Sequence, residues 1–186
     1  LQTLTYSVVG NSNSDLATVS IDGDGVLTVS YTGDDNGSAD ITVRADDSSG
    51  STLDESFTVT VNAVNDAVTL ASPISDYSVD EDAGVSTVAD LDDVFDDIDL
   101  TNGDPSALQT LTYSVIDNDN SDLATPSIDA GTGVLTVSYT AEDNGSATII
   151  VRANDGTGST LDESFTVTVT AVNDAPETLE FSMETK

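Results

Sequence analysis

The side chains of this sequence that could do chemistry are oxygen donors. An Asn-Asp pair occurs twice in the same setting, Ala63-Val64-Asn65-Asp66-Ala67 and Ala171-Val172-Asn173-Asp174-Ala175. Each copy follows a run that alternates as a strand does, 56–61 and 164–169, and each opens a carboxylate-rich segment. The pair places oxygen ligands and no hydrophobic anchor where two β-domains would meet. Oxygen-only donor sets suit a hard cation such as calcium, which takes about six to eight oxygens. The seams read as calcium-bound joints of a stalk.

The inventory of side chains excludes most catalysis. There is no His and no Cys, the usual bases and nucleophiles at neutral pH. The only amine side chain is Lys186 at the very end. Paired carboxylates can hydrolyse glycosides, but a sugar groove also needs stacking aromatics, and Trp is absent. Tyr6, Tyr113, Phe57 and Phe165 alternate as core residues. The chain reads as no enzyme.

The formal net charge is −32, from 35 Asp plus Glu against 3 Lys plus Arg. Repulsion alone excludes nucleic acid as a partner, and an anionic membrane surface on the same ground. Such a charge repels itself in a compact state unless bound cations or high salt offset it. A calcium protein and a protein adapted to salty surroundings both satisfy that condition. No apolar run approaches the ~20 residues that span a bilayer, so membrane insertion is not expected. Leu1 is not a natural start, which reads as a fragment or a processed product.

What positions the carboxylates is a duplication. Leu1-Gln2-Thr3-Leu4-Thr5-Tyr6-Ser7-Val8 returns as Leu108-Gln109-Thr110-Leu111-Thr112-Tyr113-Ser114-Val115. One residue is inserted in the turn Asp129-Ala130-Gly131-Thr132-Gly133, so Val26 answers to Val134. Roughly four aligned positions in five are identical, which is the mark of an internal repeat. Thr and Val alternate between Gly, Asn and Asp turns such as Asp22-Gly23-Asp24-Gly25 and Asp35-Asn36-Gly37-Ser38, and helix signals are missing. The fold class is all-β, as tandem Greek-key sandwiches of about seven short strands each. The expected domains are 1–66, 67–175 and a tail, 176–186, that begins like a further strand. Residues 67–107 exist once only, so the first domain lacks its N-terminal strand or two and exposes a sheet edge.

The order Val79-Asp80-Glu81-Asp82, Asp97-Ile98-Asp99, Ala141-Glu142-Asp143, Ala153-Asn154-Asp155-Gly156 and Val172-Asn173-Asp174-Ala175-Pro176 resembles the cadherin fold. More closely it resembles the dystroglycan-type, cadherin-like repeats that stand in tandem in bacterial exoproteins and adhesins. The resemblance covers the second domain completely and the first from Leu1 onward. It implies β-sandwiches with calcium at their joints, serving adhesion, spacing or, in some members, carbohydrate binding.

Carried over by residue, the resemblance assigns Glu81 as the acidic residue after the first strand. It assigns Glu142 and Asp143, with Asp34 and Asp35 as their copies, as the acidic pair before the fifth. Asp97 and Asp99 match the Asp-x-Asp after the second strand. Asp155, with Asp47 as its copy, matches the later loop, and Asn65, Asp66, Asn173 and Asp174 match the linker. A joint between the domains would draw on Asp34, Asp35, Asn65, Asp66, Asp97, Asp99 and Asp155. The sequence departs from the pattern where Val64 and Ala67 stand in place of a further acidic residue and a second Asn. The first domain also has no counterpart of Glu81. Asp is equally a turn former for local hydrogen-bonding reasons, and that reading is preferred for Asp117, Asp119 and Asp129. Arg44 and Arg152 read as members of local salt bridges.

The chain thus reads as a calcium-binding spacer or adhesive stalk of an extracellular or cell-surface bacterial protein. Three alternatives stay open: calcium-assisted binding of polysaccharide with Tyr77 as an aromatic contact, homotypic adhesion to like repeats, and strand addition through the tail. By the last, the tail would complete the first domain of a neighbour; a disordered terminus is the competing reading.

Overall fold

A computed structural model describes residues 3–100 and 110–174. The chain divides into two compact units, Leu1–Ala67 with Asp97–Thr110, and Val68–Asp96 with Leu111–Lys186. Each is a β-sandwich.

In the first unit, β1 (Thr5–Asn11), β4 (Gly37–Asp46) and β5 (Thr52–Val61) form one sheet in the order β1-β4-β5, and β2 (Ala17–Ile21) pairs with β3 (Leu27–Tyr31) in the other. All pairings are antiparallel. The β2–β3 hairpin closes where sequence expects it. Asp22 Oδ1 accepts from the backbone N–H groups of Asp24 and Val26, and Gly25 takes the left-handed φ of +82° that favours glycine. The fully buried hydrophobic residues here are few: Leu16, Ala17, Ala39 and Ile41.

The second unit repeats this plan and completes it. Strands β10 (Thr112–Asn118), β13 (Gly145–Asn154) and β14 (Thr160–Thr170) stand as β1, β4 and β5 do, and β11 (Ala124–Ile128) and β12 (Val134–Tyr139) as β2 and β3. Two strands from the unrepeated segment extend the sheets. β7 (Tyr77–Asp80) adds to β14 in parallel, in register Val167↔Tyr77 to Thr170↔Asp80. β8 (Ser86–Asp90) adds to β12 antiparallel, with Val134↔Asp90 and Leu135↔Ala89. A short pair, β6 (Thr69–Leu70) with β9 (Phe95–Asp96), ties the ends of the segment together. Seven strands now enclose a core that includes Leu135, Val137, Ile149, Val151, Phe165 and Val167.

The expected fold class is what forms: an all-β chain of two sandwiches, the first without its N-terminal strands. One local departure lies at 91–100. Sequence offers no helix there, yet Leu91–Val94 makes a single α-turn and Ile98–Leu100 a 3₁₀ turn. The cause is local. Asp90 caps the turn by accepting from the Asp92 N–H, and Leu91 and Val94 on its inner side are buried.

Candidate metal centre

The acidic cluster of the second unit is assembled from three loops by their turn geometry. After β7 the chain turns at Asp80–Ala83, closed by a hydrogen bond from Ala83 N–H to Asp80 C=O, with Asp82 at a φ of +30°. After β12, Glu142 stands at a φ of +66°, in the left-handed region that a Glu enters only when its surroundings hold it there. After β14, the linker brings Asp174. Carboxylate oxygens of Asp82, Glu142 and Asp174 lie within 4.8 Å of one another, all three residues exposed.

Beside them Glu81 is buried, and its placement is explicit. Its backbone N–H extends the β7–β14 ladder to Thr170 C=O at 2.9 Å. Its Oε1 accepts from Val172 N–H at 2.6 Å, and its Oε2 from Asn144 Nδ2 at 3.5 Å. Glu81 thus fastens the linker that carries Asp174 to the turn that carries Asp82. Electrostatics records the crowding. The Glu142 carboxyl is pushed above its ordinary value, first by the charge of Asp174, then by Asp82, with Glu81 contributing. Like charges held this close favour either a proton or a cation between them.

Three carboxylates around one point, all oxygen, with no nitrogen or sulfur donor, match the ligand chemistry of calcium. The residues present therefore fit that ion. Glu81, Glu142 and Asp174 are among the acids singled out from sequence, and the fold brings Glu142 and Asp174 together with Asp82, which was assigned no role. Its signal was present, because Asp80-Glu81-Asp82 is a run of three acids at a strand end. Asp143 and Asn173 sit on the same loops outside the three-carboxylate group. Asp143 N–H bonds to Thr140 C=O, and Asn173 Nδ2 donates to Asp174 C=O.

The first unit holds the copies. Asp34 occupies the position of Glu142 and repeats its backbone, at a φ of +62°. Asp34, Asp35 and Asp66 line one cavity of about 230 Å³ with Asn36, Val61 and Val64. The Asp66 N–H donates to Asp99 Oδ2 at 2.8 Å, the Asp99 N–H donates to Asp97 Oδ1 at 3.0 Å, and both Asp97 and Asp99 are buried. Asn65 Nδ2 donates to the Asp66 carbonyl. Buried carboxylates require hydrogen bonds, a counter-charge or a metal, so this chain of acids is a second oxygen-rich group.

Other acids serve turns. Asp47 Oδ1 accepts from Ser49 and Ser51 N–H, which holds its carboxyl below the usual range. Asp155 Oδ1 accepts from the N–H groups of Thr157, Gly158 and Ser159. Asp129 Oδ1 takes Gly131 and Thr132 N–H, and its carboxyl is likewise lowered. Asp117 accepts from Asn118 N–H within β10, and Asp119 accepts from Thr148 N–H of β13, a bond between segments and not the local turn bond expected of it. Arg44 and Arg152 form two-pronged pairs across the strand pair, with Asp54 and Asp162, at 2.6–2.8 Å. Tyr77 stacks on Phe165 at 6.2 Å and shares a 2.8 Å hydrogen bond with Tyr139. Burial, followed by that bond, raises its hydroxyl well above the ordinary value.

No family model matches the sequence, and no curated protein matches it. Solved structures do. The chain is similar to extracellular cadherin domains 1–5 of protocadherin Gamma B2, with TM-score 0.56, 17% identity, and 92% of this chain and 34% of that one covered. It is similar to human CDH23 EC21–23 with TM-score 0.58 and 16% identity, covering 90% and 58%. It is similar to EC1–2 of human mucin-like protocadherin with TM-score 0.55 and 16% identity, covering 91% and 85%. The chain thus spans about a third of the protocadherin Gamma B2 fragment and somewhat over half of the CDH23 one. At these identities the likeness is one of fold: the sandwiches are cadherin-like.

Proposed function

We propose that the chain is a calcium-binding, cadherin-like tandem module that acts as a spacer or adhesive stalk outside the cell, as in bacterial surface proteins. The observation that carries this reading is the meeting of Asp82, Glu142 and Asp174 within 4.8 Å at the end of a cadherin-like sandwich. Calcium bound there would cancel the repulsion felt by Glu142 and fix the linker against the β7 and β12 loops. The ligand set would be those three residues with Glu81 supporting them, and Asn173 and Asp143 at the rim. In the first unit, Asp34, Asp35, Asn65, Asp66, Asp97 and Asp99 would form the matching group. Asp47 and Asp155 would each order their own loop. The domain limits 1–66 and 67–175 are part of this reading.

Neither alternative partner gains from the site. A polysaccharide platform needs an open aromatic face, and Tyr77 spends its ring on Phe165. Strand addition through the tail rests on 176–186, which lie outside the described residues. Like repeats of the same or a neighbouring protein remain the partner that a cadherin-like stalk would meet.

The test is a calorimetric calcium titration, with thermal melts in calcium, in chelator, and in sodium at equal ionic strength. An ion bound only by the folded state at a hundred times its Kd adds about 2.7 kcal/mol of stability. Saturable binding with a clear rise in Tm above the sodium control is the expected result. Equal stabilisation by sodium would reduce the carboxylates to a salt-loving surface.

A further inference from the structure

The repeated parts of the two units differ at few positions, and one of these stands in the middle of a sheet edge. β2 and β11 are outermost in their sheets, and among the described residues no strand lies beyond either. Their sequences are Ala-Thr-Val-Ser-Ile and Ala-Thr-Pro-Ser-Ile, so Val19 of the first unit answers to Pro126 of the second. The outer side of β11 stays open in the closed unit, so this edge belongs to the complete sandwich.

The alternation of the ladder shows which backbone groups face outward. Thr32 N–H donates to Leu16 C=O at 3.0 Å, and Thr140 N–H donates to Leu123 C=O at 3.0 Å. These bonds flank the pairs Ala17↔Tyr31 and Ala124↔Tyr139, which therefore exchange no hydrogen bonds themselves, and residues two and four further along share their phase. The bond from Asp22 N–H to Val26 C=O agrees. The N–H and C=O of Val19 and Ile21 thus point away from β3. Those of Ala17 are already used, the N–H by Asn13 C=O and the C=O by Asn11 Nδ2 at 2.7 Å. In β11 the same phase turns the Pro126 nitrogen outward, where the β11–β12 ladder loses no bond and the edge loses a donor. Proline on an outer edge hinders pairing with other chains, and β2 lacks it. The edge strands of the other sheets have a different safeguard: β1 bulges between Val8 and Gly10, as β10 does between Val115 and Asp117.

We propose that the β2 edge docks a second copy of this chain, β2 against β2, antiparallel about a two-fold axis at Ser20. In that register Val19 faces the partner's Ile21, and Ile21 the partner's Val19. Each pair exchanges two N–H to C=O bonds, four in all, and the half-buried Val19 and Ile21 side chains meet across the seam on one face. Charge selects this occupant. Ala17–Ile21 carries no charge, while Asp15, Asp22 and Asp24 flank it. Parallel pairing would set each Asp22 beside its own copy, whereas the antiparallel register sets it across from the partner's Thr18. A basic peptide would be drawn by acids along the strand, and Ala17–Ile21 offers it none. An uncharged strip is what a chain of net charge −32 can present to its own kind. With Pro126 on the matching edge of the second unit, assembly stops at two copies. The inference rests on the stalk reading, in which like repeats are the partner, and gives the surface that they use.

The test is sedimentation equilibrium of the full chain over rising concentration, at low and high sodium chloride, with residue-resolved hydrogen exchange at both ends of the series. The expected result is a reversible dimer that strengthens with salt, because screening relieves the repulsion between two acidic chains. Rising concentration should protect the amides of Val19 and Ile21 and leave those of Leu27 and Val29, on the outer side of β3, unchanged. Val19→Pro should raise the dimer Kd about tenfold to a hundredfold, since symmetry removes two hydrogen bonds at once. Its Tm should stay near that of wild type, because β11 folds around the same residue. Pro126→Val leaves the first unit untouched and should carry assembly beyond dimers by giving the second unit the same edge. Four results would each overturn the proposal: a monomer at about 1 mM in high salt, a Val19→Pro dimer as tight as wild type, a Pro126→Val chain that stops at dimers, or protection at Leu27 and Val29 in place of Val19 and Ile21. The pairing uses no carboxylate, so it should persist in chelator at matched ionic strength, and failure of the calcium reading would leave it standing.

Discussion

The two units are close to a controlled experiment in what closes a β-sandwich. Ile41 and Ile149 occupy the same position and both are 0% exposed. Around Ile149 the cluster extends through Leu91, Val94, Phe95 and Val169; around Ile41 it stops at four fully buried residues, with partly buried neighbours. The added segment brings five buried side chains of its own, Val68, Ile74, Leu91, Val94 and Phe95. It also turns half-buried side chains of the older strands into fully buried ones, and each aliphatic side chain so buried contributes about 1.5–3 kcal/mol. Part of the gain in the closed unit thus comes from residues that the open unit also possesses.

The largest expected effect therefore distinguishes the cores. Ile149→Ala should cost about 2–5 kcal/mol, and Ile41→Ala less, because a partly open site can collapse around the gap. Urea unfolding followed by residue-resolved hydrogen exchange would report both, and equal losses would show the first core to be as well packed as the second. The first unit, with its smaller buried cluster, should also exchange its protected amides at lower urea than the second.

The next effect concerns the acids. Glu142→Gln removes one of the three carboxylates and should weaken calcium at the second unit by about tenfold or more, since ligand charge sets affinity in such sites. Its effect without metal has the opposite sign. The Glu142 carboxyl lies above its ordinary value when folded, so the folded state holds more proton between the unfolded and folded pKa. Stability from this group is then lost as pH rises through that window. In chelator, wild type should gain on mild acidification relative to Glu142→Gln; in calcium, acidification should release the ion. A pH profile unchanged by the substitution would mean that the cluster is not felt by Glu142.

The smallest effect is that of the Arg pairs. Arg44 and Arg152 and their Asp partners are each about two-fifths exposed, so water screens the pairs and Arg44→Ala and Arg152→Ala should each shift the unfolding midpoint only slightly. A difference between the two would reveal how much the closed sandwich stiffens the fork.

The strands, their turns and the duplication were legible because they rest on alternation and on Gly, Asn and Asp at fixed places. The absence of the first unit's outer strands followed from sequence alignment of the halves. The single turn at Leu91–Val94 was not legible. Its Asp90 cap lies in a run of acids that reads as loop, and burial of Leu91 and Val94 decides the matter. Among the acids, sequence could place Glu142 and Asp174 on neighbouring loops through the resemblance. It could not separate Asp82 from Asp80, since strand register alone settles which acid of that run turns toward the others. Nor could it reveal that Asp155 and Asp47 spend an oxygen on their own loops, which depends on backbone direction.

The Arg forks have a use beyond stability. Arg44 lies in β4 and Arg152 in β13, each the inner strand of its sheet, flanked on both sides by ladder partners. With Lys186 they are the only basic residues of the chain. Trypsin, which cuts only after such residues, therefore has one internal cleavage point per unit, and each is shielded until that unit opens. The fragment pattern in a timed digest is a separate clock for each half of the molecule, with no label attached.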